Sequence, residues 1–179
     1  PDAIRKSREL HAKYLEDPAS IDPNVAAAVA GVVATNGTAD DYAVFVQRFK
    51  SAATPQEERR YQTRLGAFPG AAEIATTLKM TMNGEIRTQD SPYLLGFALS
   101  NREQGEQVWR FITENWDEMV KAFPDNSIVR MAGGIRALTK PKIATEVEKF
   151  FETHKVPTGE LTMQQHLEKL RVNVALRER

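Results

Sequence analysis

The sequence predicts an all-α fold: a superhelical array of antiparallel helix pairs, like a HEAT or armadillo α-solenoid. Three observations carry that reading. Helix-start signatures recur along the whole chain, each with a capping residue, often a proline next, and an acid or amide in the first turn. The apolar residues between them fall at helical spacing. The starts lie roughly 15–20 residues apart, so that a helix pair takes roughly 30–40 residues, the period of such solenoids. A closed helical bundle is the alternative. No internal linker interrupts the pattern, and residues 1–179 read as one helical domain. The chain lacks an initiator Met and begins as if within a longer protein, so a fragment is expected.

The opening segment PDAIRKSREL already has a helical pattern, with Ile4, His11 and Leu15 on one stripe and Leu10 and Tyr14 beside them. Asp22-Pro23 opens a second helix with Val25, Val29, Val32 and Val33 on one face. Asn36-Gly37 ends it, with Gly37 expected in the left-handed conformation. Thr38-Ala39-Asp40-Asp41 resembles a capping box with Asp in place of Glu, followed by the face Tyr42, Phe45, Val46 and Phe49. Thr54-Pro55-Gln56-Glu57 is a complete box with proline at the first helical position, followed by Tyr61, Leu65 and Phe68. Pro69 starts the next helix, with Ile74, Ala75, Leu78 and Met82 inward, and Asn83-Gly84 ends it.

GEIRTQ, at 84–89, is the one strand candidate, short and without a partner. Asp90 can cap a helix around Leu94, Leu95 and Ala98. Asn101-Arg102-Glu103-Gln104 then caps a helix that includes VWRFITENWDEM, 108–119. There Trp109, Ile112, Trp116, Val120 and Phe123 form one stripe, opposite Arg110, Glu114 and Glu118, so the tryptophans read as core rather than as a ligand platform. Further helices follow Pro124-Asp125 (Ile128, Met131 and Ile135 inward) and Thr139-Lys140-Pro141 (Ile143, Val147, Phe150 and Phe151). The last starts at Thr158 or Leu161, with Met163, Leu167, Leu170 and Val174 inward.

Composition excludes several functions. Lys+Arg and Asp+Glu both total 24, so there is no general attraction to nucleic acid or an anionic membrane. No window approaches 18 consecutive apolar residues, and the N-terminal segment has no signal-peptide core. The absence of cysteine excludes disulfides and thiolate metal sites, and favours a cytoplasmic location. His11, His154 and His166 form no HExxH helix and no i,i+4 pair, and each reads as packing or surface. There is no G-x-S-x-G, Walker A loop or G-x-G-x-x-G. The glycines of GAFPGAAE and MAGGIRAL do not follow strands, so a phosphate role is not expected of them. Asp40-Asp41 and Glu57-Glu58 complement helix dipoles in first turns, while Arg59-Arg60 and Lys140/Lys142 read as solvated faces.

IRTQD, 86–90, is less bland. In one reading Asp90 is a cap and Arg87 pairs with a neighbouring acid. In the other, an acid holds Arg87 so that it can meet a carboxylate in bidentate geometry, which makes Arg87 the candidate substrate-binding residue. No residue is a candidate for catalysis or metal binding.

Several phrases occur together, in order, across roughly residues 20 to 178: NGTADDYAVF, TPQEERRYQTRLGAF, IRTQD, ALSNREQGEQVWRFITENWDEM, EVEKFFETH and QQHLEKLRVNVAL. They resemble the C-terminal helical domain of the gluzincin-type zinc aminopeptidases, the family of aminopeptidase N, the puromycin-sensitive enzyme and the endoplasmic-reticulum aminopeptidases. Richness in Ala and Arg points to a bacterial member. The resemblance implies a domain without cofactor of its own, since zinc belongs to a preceding catalytic domain whose HExxH and GAMEN motifs are not in this sequence. It implies that this domain curves over the active site, closes the cavity and helps select peptide substrates. Its partners would be the N-terminal and catalytic domains of its own chain and peptides, not nucleic acid or membrane. The alternative is a free-standing helical-repeat scaffold that binds a protein partner.

Overall fold

The computed structural model describes residues 2–178, and among them every regular element is helical. The chain forms two compact units, one running to Ile74 and the other beginning at Ala75.

The first unit holds α1 (Asp2–Glu16), α2 (Pro23–Thr35), α3 (Ala39–Lys50) and α4 (Pro55–Arg64), which tightens into a 3-10 turn at Leu65–Ala67. α1 packs on α2 and α3 on α4. The expected caps form in part. Asp22 accepts from the backbone N–H groups of Asn24 and Val25, and Thr38 and Asp41 make a reciprocal capping box. The box at Thr54 is only half made: its hydroxyl accepts from Glu57 N–H, but the Glu57 carboxylate accepts from Ala53 N–H instead of Thr54. Gly37 is not left-handed, because Gly84 and Gly159 are the described glycines with positive φ. Its role is close approach: a Cβ there would lie 2.4 Å from the Phe68 ring. Val25 is exposed, and Ala26, Val29, Ala30, Val33 and Ala34 make the buried face of α2. Phe45 sits edge-on to both Tyr61 and Phe68, at 5.0 and 5.2 Å between ring centroids, in the centre of this core.

α5 (Ala71–Met80) contains the division between units. Beyond it, GEIRTQ is a set of turns rather than a strand, and it buries Ile86. The second unit continues with α6 (Ser91–Ala98), α7 (Gly105–Glu114), α8 (Trp116–Ala122), α9 (Asp125–Ala132), a 3-10 turn at Gly133–Ala137, α10 (Pro141–Thr153) and α11 (Glu160–Arg177). The Asp90 side chain makes no capping hydrogen bond to α6; its backbone carbonyl accepts from Tyr93 and Leu94 instead. Lys140, not Thr139, takes the N-cap position of α10 and makes no side-chain cap, while the Thr139 hydroxyl accepts from Arg177.

The expected single helix over VWRFITENWDEM is broken at Asn115. The amide Nδ2 of Asn115 donates to Phe111 O at 2.8 Å and so competes for a carbonyl of the helix, while Asn115 O accepts from Met119 N–H to begin α8. One residue out of register leaves both indoles on the same side. Each meets Phe150 edge-on, Trp109 at 5.3 Å and Trp116 at 5.4 Å. Both tryptophans are buried, 3% and 4% exposed, so they are core.

A second organising contact is made by backbone alone. A Cβ on Gly134 would stand 2.3 Å from Gly96 O, and one on Gly96 would stand 3.1 Å from Met131 O. α6 can therefore approach α9 and the 3-10 turn this closely only where both residues are glycine.

Trp109→Ala should lower unfolding free energy by about 3–5 kcal/mol, as large aromatic truncations in a core do. Urea denaturation followed by circular dichroism would measure it. A loss below about 1 kcal/mol, the range of a surface change, would show that the indole is not core packing.

Candidate functional site

Arg87, the residue singled out by sequence, lies in a connection tied down by its neighbours. Asn83 Oδ1 accepts from Glu85 N–H while Asn83 Nδ2 donates to Glu85 Oε1, with Gly84 left-handed between them at φ 88°. Ile86 N–H donates to Met80 O, anchoring the buried Ile86 side chain. Arg87 O then accepts from the N–H groups of Asp90 and Ser91. The buried Ser91 hydroxyl bonds Thr81 O at 2.9 Å and Arg87 O at 3.2 Å. The result is a rigid corner with the Arg87 side chain exposed at its tip. Exposed Gln89 and half-buried Asp90 stand in the same turn. The corner presents a guanidinium from a fixed backbone. No acid–base or nucleophilic chemistry follows from it.

The histidines are structural. His11 is buried between Phe45 and Tyr61 and shares a hydrogen bond with the Tyr61 hydroxyl at 3.1 Å. Burial pushes its pKa down to about 4, against the opposing pull of Asp41 and with help from Arg48 and Arg8. Burial also pushes the Tyr61 phenol up. Asp41 does more than complement a helix dipole: Arg8 grips it with two hydrogen bonds of 2.9 Å and also donates to Asn36 O. Burial alone would raise the Asp41 carboxyl, but hydrogen bonds from Arg8 and Thr38 outweigh it and hold it below the usual range. His154 stacks flat on Phe150 at 4.0 Å, at the end of α10. His166 lies against Gly133, its pKa lowered by burial and then by Arg136. Among the described residues no three His, Asp or Glu side chains gather where a metal ion could be held.

The second unit carries three concave regions of note. One lies between the end of α10 and the start of α11, walled by Phe151, Met163 and Leu167. Another lies at the start of α7, where Lys140 bonds Glu106 at 2.5 Å and holds its carboxyl below the usual range. The third, of about 500 Å³, lies among α6, the 3-10 turn at Gly133–Ala137 and α11. Arg130, Arg136 and Lys169 line it. The sequence signal nearby was the glycine pair of MAGGIRAL; the cations that flank the pair, and Lys169 far along the chain, are joined only by the fold.

The profile of the ERAP1-like C-terminal domain family matches residues 1–172. Among similar curated proteins, Aminopeptidase M1-B of Oryza sativa subsp. japonica is 28% identical over 149 residues, covering 82% of this chain and 17% of the relative. Aminopeptidase 2, mitochondrial, of Saccharomyces cerevisiae is 26% identical over 156 residues, 84% of this chain and 16% of the relative. Endoplasmic reticulum aminopeptidase 2 of Bos taurus is 26% identical over 165 residues, 88% of this chain and 17% of the relative. The chain thus spans about a sixth of the length of these relatives.

The buried neutral His11 makes the first unit acid-sensitive. The unfolded ring takes its proton near pH 6.5, whereas the folded ring resists until about 4. Stability supplied by His11 is therefore whole above pH 6.5 and is lost as pH falls toward 4, by about 3 kcal/mol in total. In an NMR titration the His11 ring should show its midpoint near 4. A midpoint near 6.5 would mean a solvated imidazole.

Proposed function

Since this chain belongs to the ERAP1-like C-terminal domain family, we propose that it is the non-catalytic C-terminal domain of a zinc aminopeptidase. In this reading it covers the active-site cavity, as one arm of an α-solenoid, and helps select and bind peptides from which the parent enzyme removes N-terminal residues. Its partners are then the N-terminal and catalytic domains of its own chain, and its location is cytoplasmic. The observation that carries the reading is the match over residues 1–172, together with relatives named as aminopeptidases that extend far beyond the matched segment. The chain's own inventory agrees with a supporting role, because its histidines are engaged in packing. Arg87 is assigned here to contact with a peptide carboxylate. Among the described residues no helix is long and apolar enough to cross a membrane.

The purified chain should not hydrolyse aminoacyl-anilides with or without added zinc, and should retain no stoichiometric zinc in elemental analysis. Activity that follows the chain through purification would overturn the non-catalytic assignment. The complete reading frame should contain an HExxH motif upstream, and its absence would favour the free-standing scaffold. In the full-length protein, Arg87→Ala should raise KM for peptides of several residues by about tenfold, the loss of one charge-assisted contact. An unchanged KM would remove Arg87 from the binding surface.

A further inference from the structure

The charge of this chain is balanced overall but not locally. The concavity at the start of α7 is lined by Arg102, Lys140 and Arg177 together with Glu103 and Glu106, so its charges are largely matched. The groove among α6, the Gly133–Ala137 turn and α11 is lined by three cations and by no acid. Each comes from a different element: Arg130 from α9, Arg136 from the 3-10 turn and Lys169 from α11.

Two of the cations are held in place. Arg130 Nη1 donates to the Tyr93 hydroxyl at 3.0 Å, fixing the guanidinium beside a half-exposed ring. Arg136 Nε donates to Gly133 O at 2.6 Å. Among the described residues no acceptor takes the Nη hydrogens of Arg136, so its outer edge keeps the two-pronged geometry that matches a carboxylate. Restraining these side chains in advance lowers the entropy cost of capturing a ligand. Asn173 Nδ2 donates to Arg136 O, which leaves its Oδ1 able to accept an N–H. The glycines at the Gly96–Gly134 contact add backbone rather than side chains to the groove.

We propose that this groove binds an acidic polypeptide segment in extended form, with two or three carboxylates meeting Arg130, Arg136 and Lys169 and its backbone meeting Asn173 and the Tyr93 ring. Polypeptide is favoured over a compact oxyanion by the shape of the site. A groove of about 500 Å³ with cations on three elements and an exposed aromatic edge offers contacts spread over several residues, whereas a single phosphate would occupy one corner. The assignment does not depend on the peptidase reading.

Fluorescence anisotropy on the 179-residue chain at low salt provides the test. A fluorescein-labelled Glu-Gly repeat decapeptide should bind, and its Gln-Gly counterpart should not. The combined variant Arg130→Gln, Arg136→Gln and Lys169→Gln should weaken binding by about tenfold or more, as the loss of several modest charge contacts predicts. A control with the same charge loss at exposed lysines elsewhere, Lys6→Gln, Lys13→Gln and Lys121→Gln, should bind like the parent. Equal losses in the two variants would reduce the effect to net charge and overturn the site, as would equal binding of the neutral peptide or no binding at all. Tripolyphosphate that binds more tightly than the peptide would overturn the polypeptide assignment. Lys169→Gln alone, which removes an exposed side chain without disturbing either arginine's hydrogen bond, carries the same test should the combined variant fail to fold; it should weaken binding measurably, and unchanged affinity would count against the groove.

Discussion

The contact between the backbones of Gly96 and Gly134 is the constraint on which the second unit depends. No side chain can enter there, because a Cβ on Gly134 would overlap the Gly96 carbonyl. That closeness seats α6 against α9 and the 3-10 turn and brings Met131, Ile128 and Ile135 into a common core. It also fixes what stands on the outer side. Arg130 and Arg136 lie on either side of the glycine pair, and the turn that carries one of them contacts α11. Packing and surface charge are thus two results of one backbone geometry.

The first unit is organised differently, around polar groups that the helices must accommodate. Arg8 joins α1 to the end of α2 and the start of α3 through Asn36 O and Asp41. The same Asp41 carboxylate closes the capping box of α3, so one side chain serves both helix initiation and tertiary contact. Deeper in, His11 and Tyr61 satisfy each other among aromatic rings. Arg60 lies over the Tyr14 ring at 5.2 Å, a cation–π contact that partly offsets the burial of its guanidinium. Its Nη1 is buried without a hydrogen-bond acceptor, so the neutral His11–Tyr61 pair and the Arg8–Asp41 pair are the matched polar contacts of a unit that tolerates little change in protonation.

Much of the fold was legible because local chemistry and helical period agree. A capping residue before the first turn and an apolar stripe after it mark α2, α3 and α4 within a residue or two, with proline at the first helical position in α2 and α4. The failures have specific causes. Asn115 breaks a helix that periodicity continues, because a side-chain amide can take a backbone carbonyl without disturbing the apolar stripe. Gly37 reads in sequence as a left-handed helix end and Gly134 carries no signal of its own, yet the role of each is set by neighbours far along the chain, Phe68 and Gly96. Arg87 stands out in the sequence because it sits in an irregular connection rich in polar residues, and the structure places it exposed at the start of a turn. The cationic groove does not stand out, since each of its cations sits on an ordinary amphipathic stretch and only the fold adds them together.

α11 is the longest helix among the described residues, yet it buries only Met163 and Leu170, and leaves Leu161, Val172 and Leu176 in solvent. An element with so little sequestered apolar area opens at small free-energy cost, well before its unit unfolds. Its amides would then exchange with solvent deuterium through local opening, faster than those of α6 or α9, whose faces are deeply covered. Lys169 and Asn173 ride on that helix. A ligand that engages them in the folded helix binds only when α11 is closed, so occupancy of the groove and order in the last helix are linked equilibria.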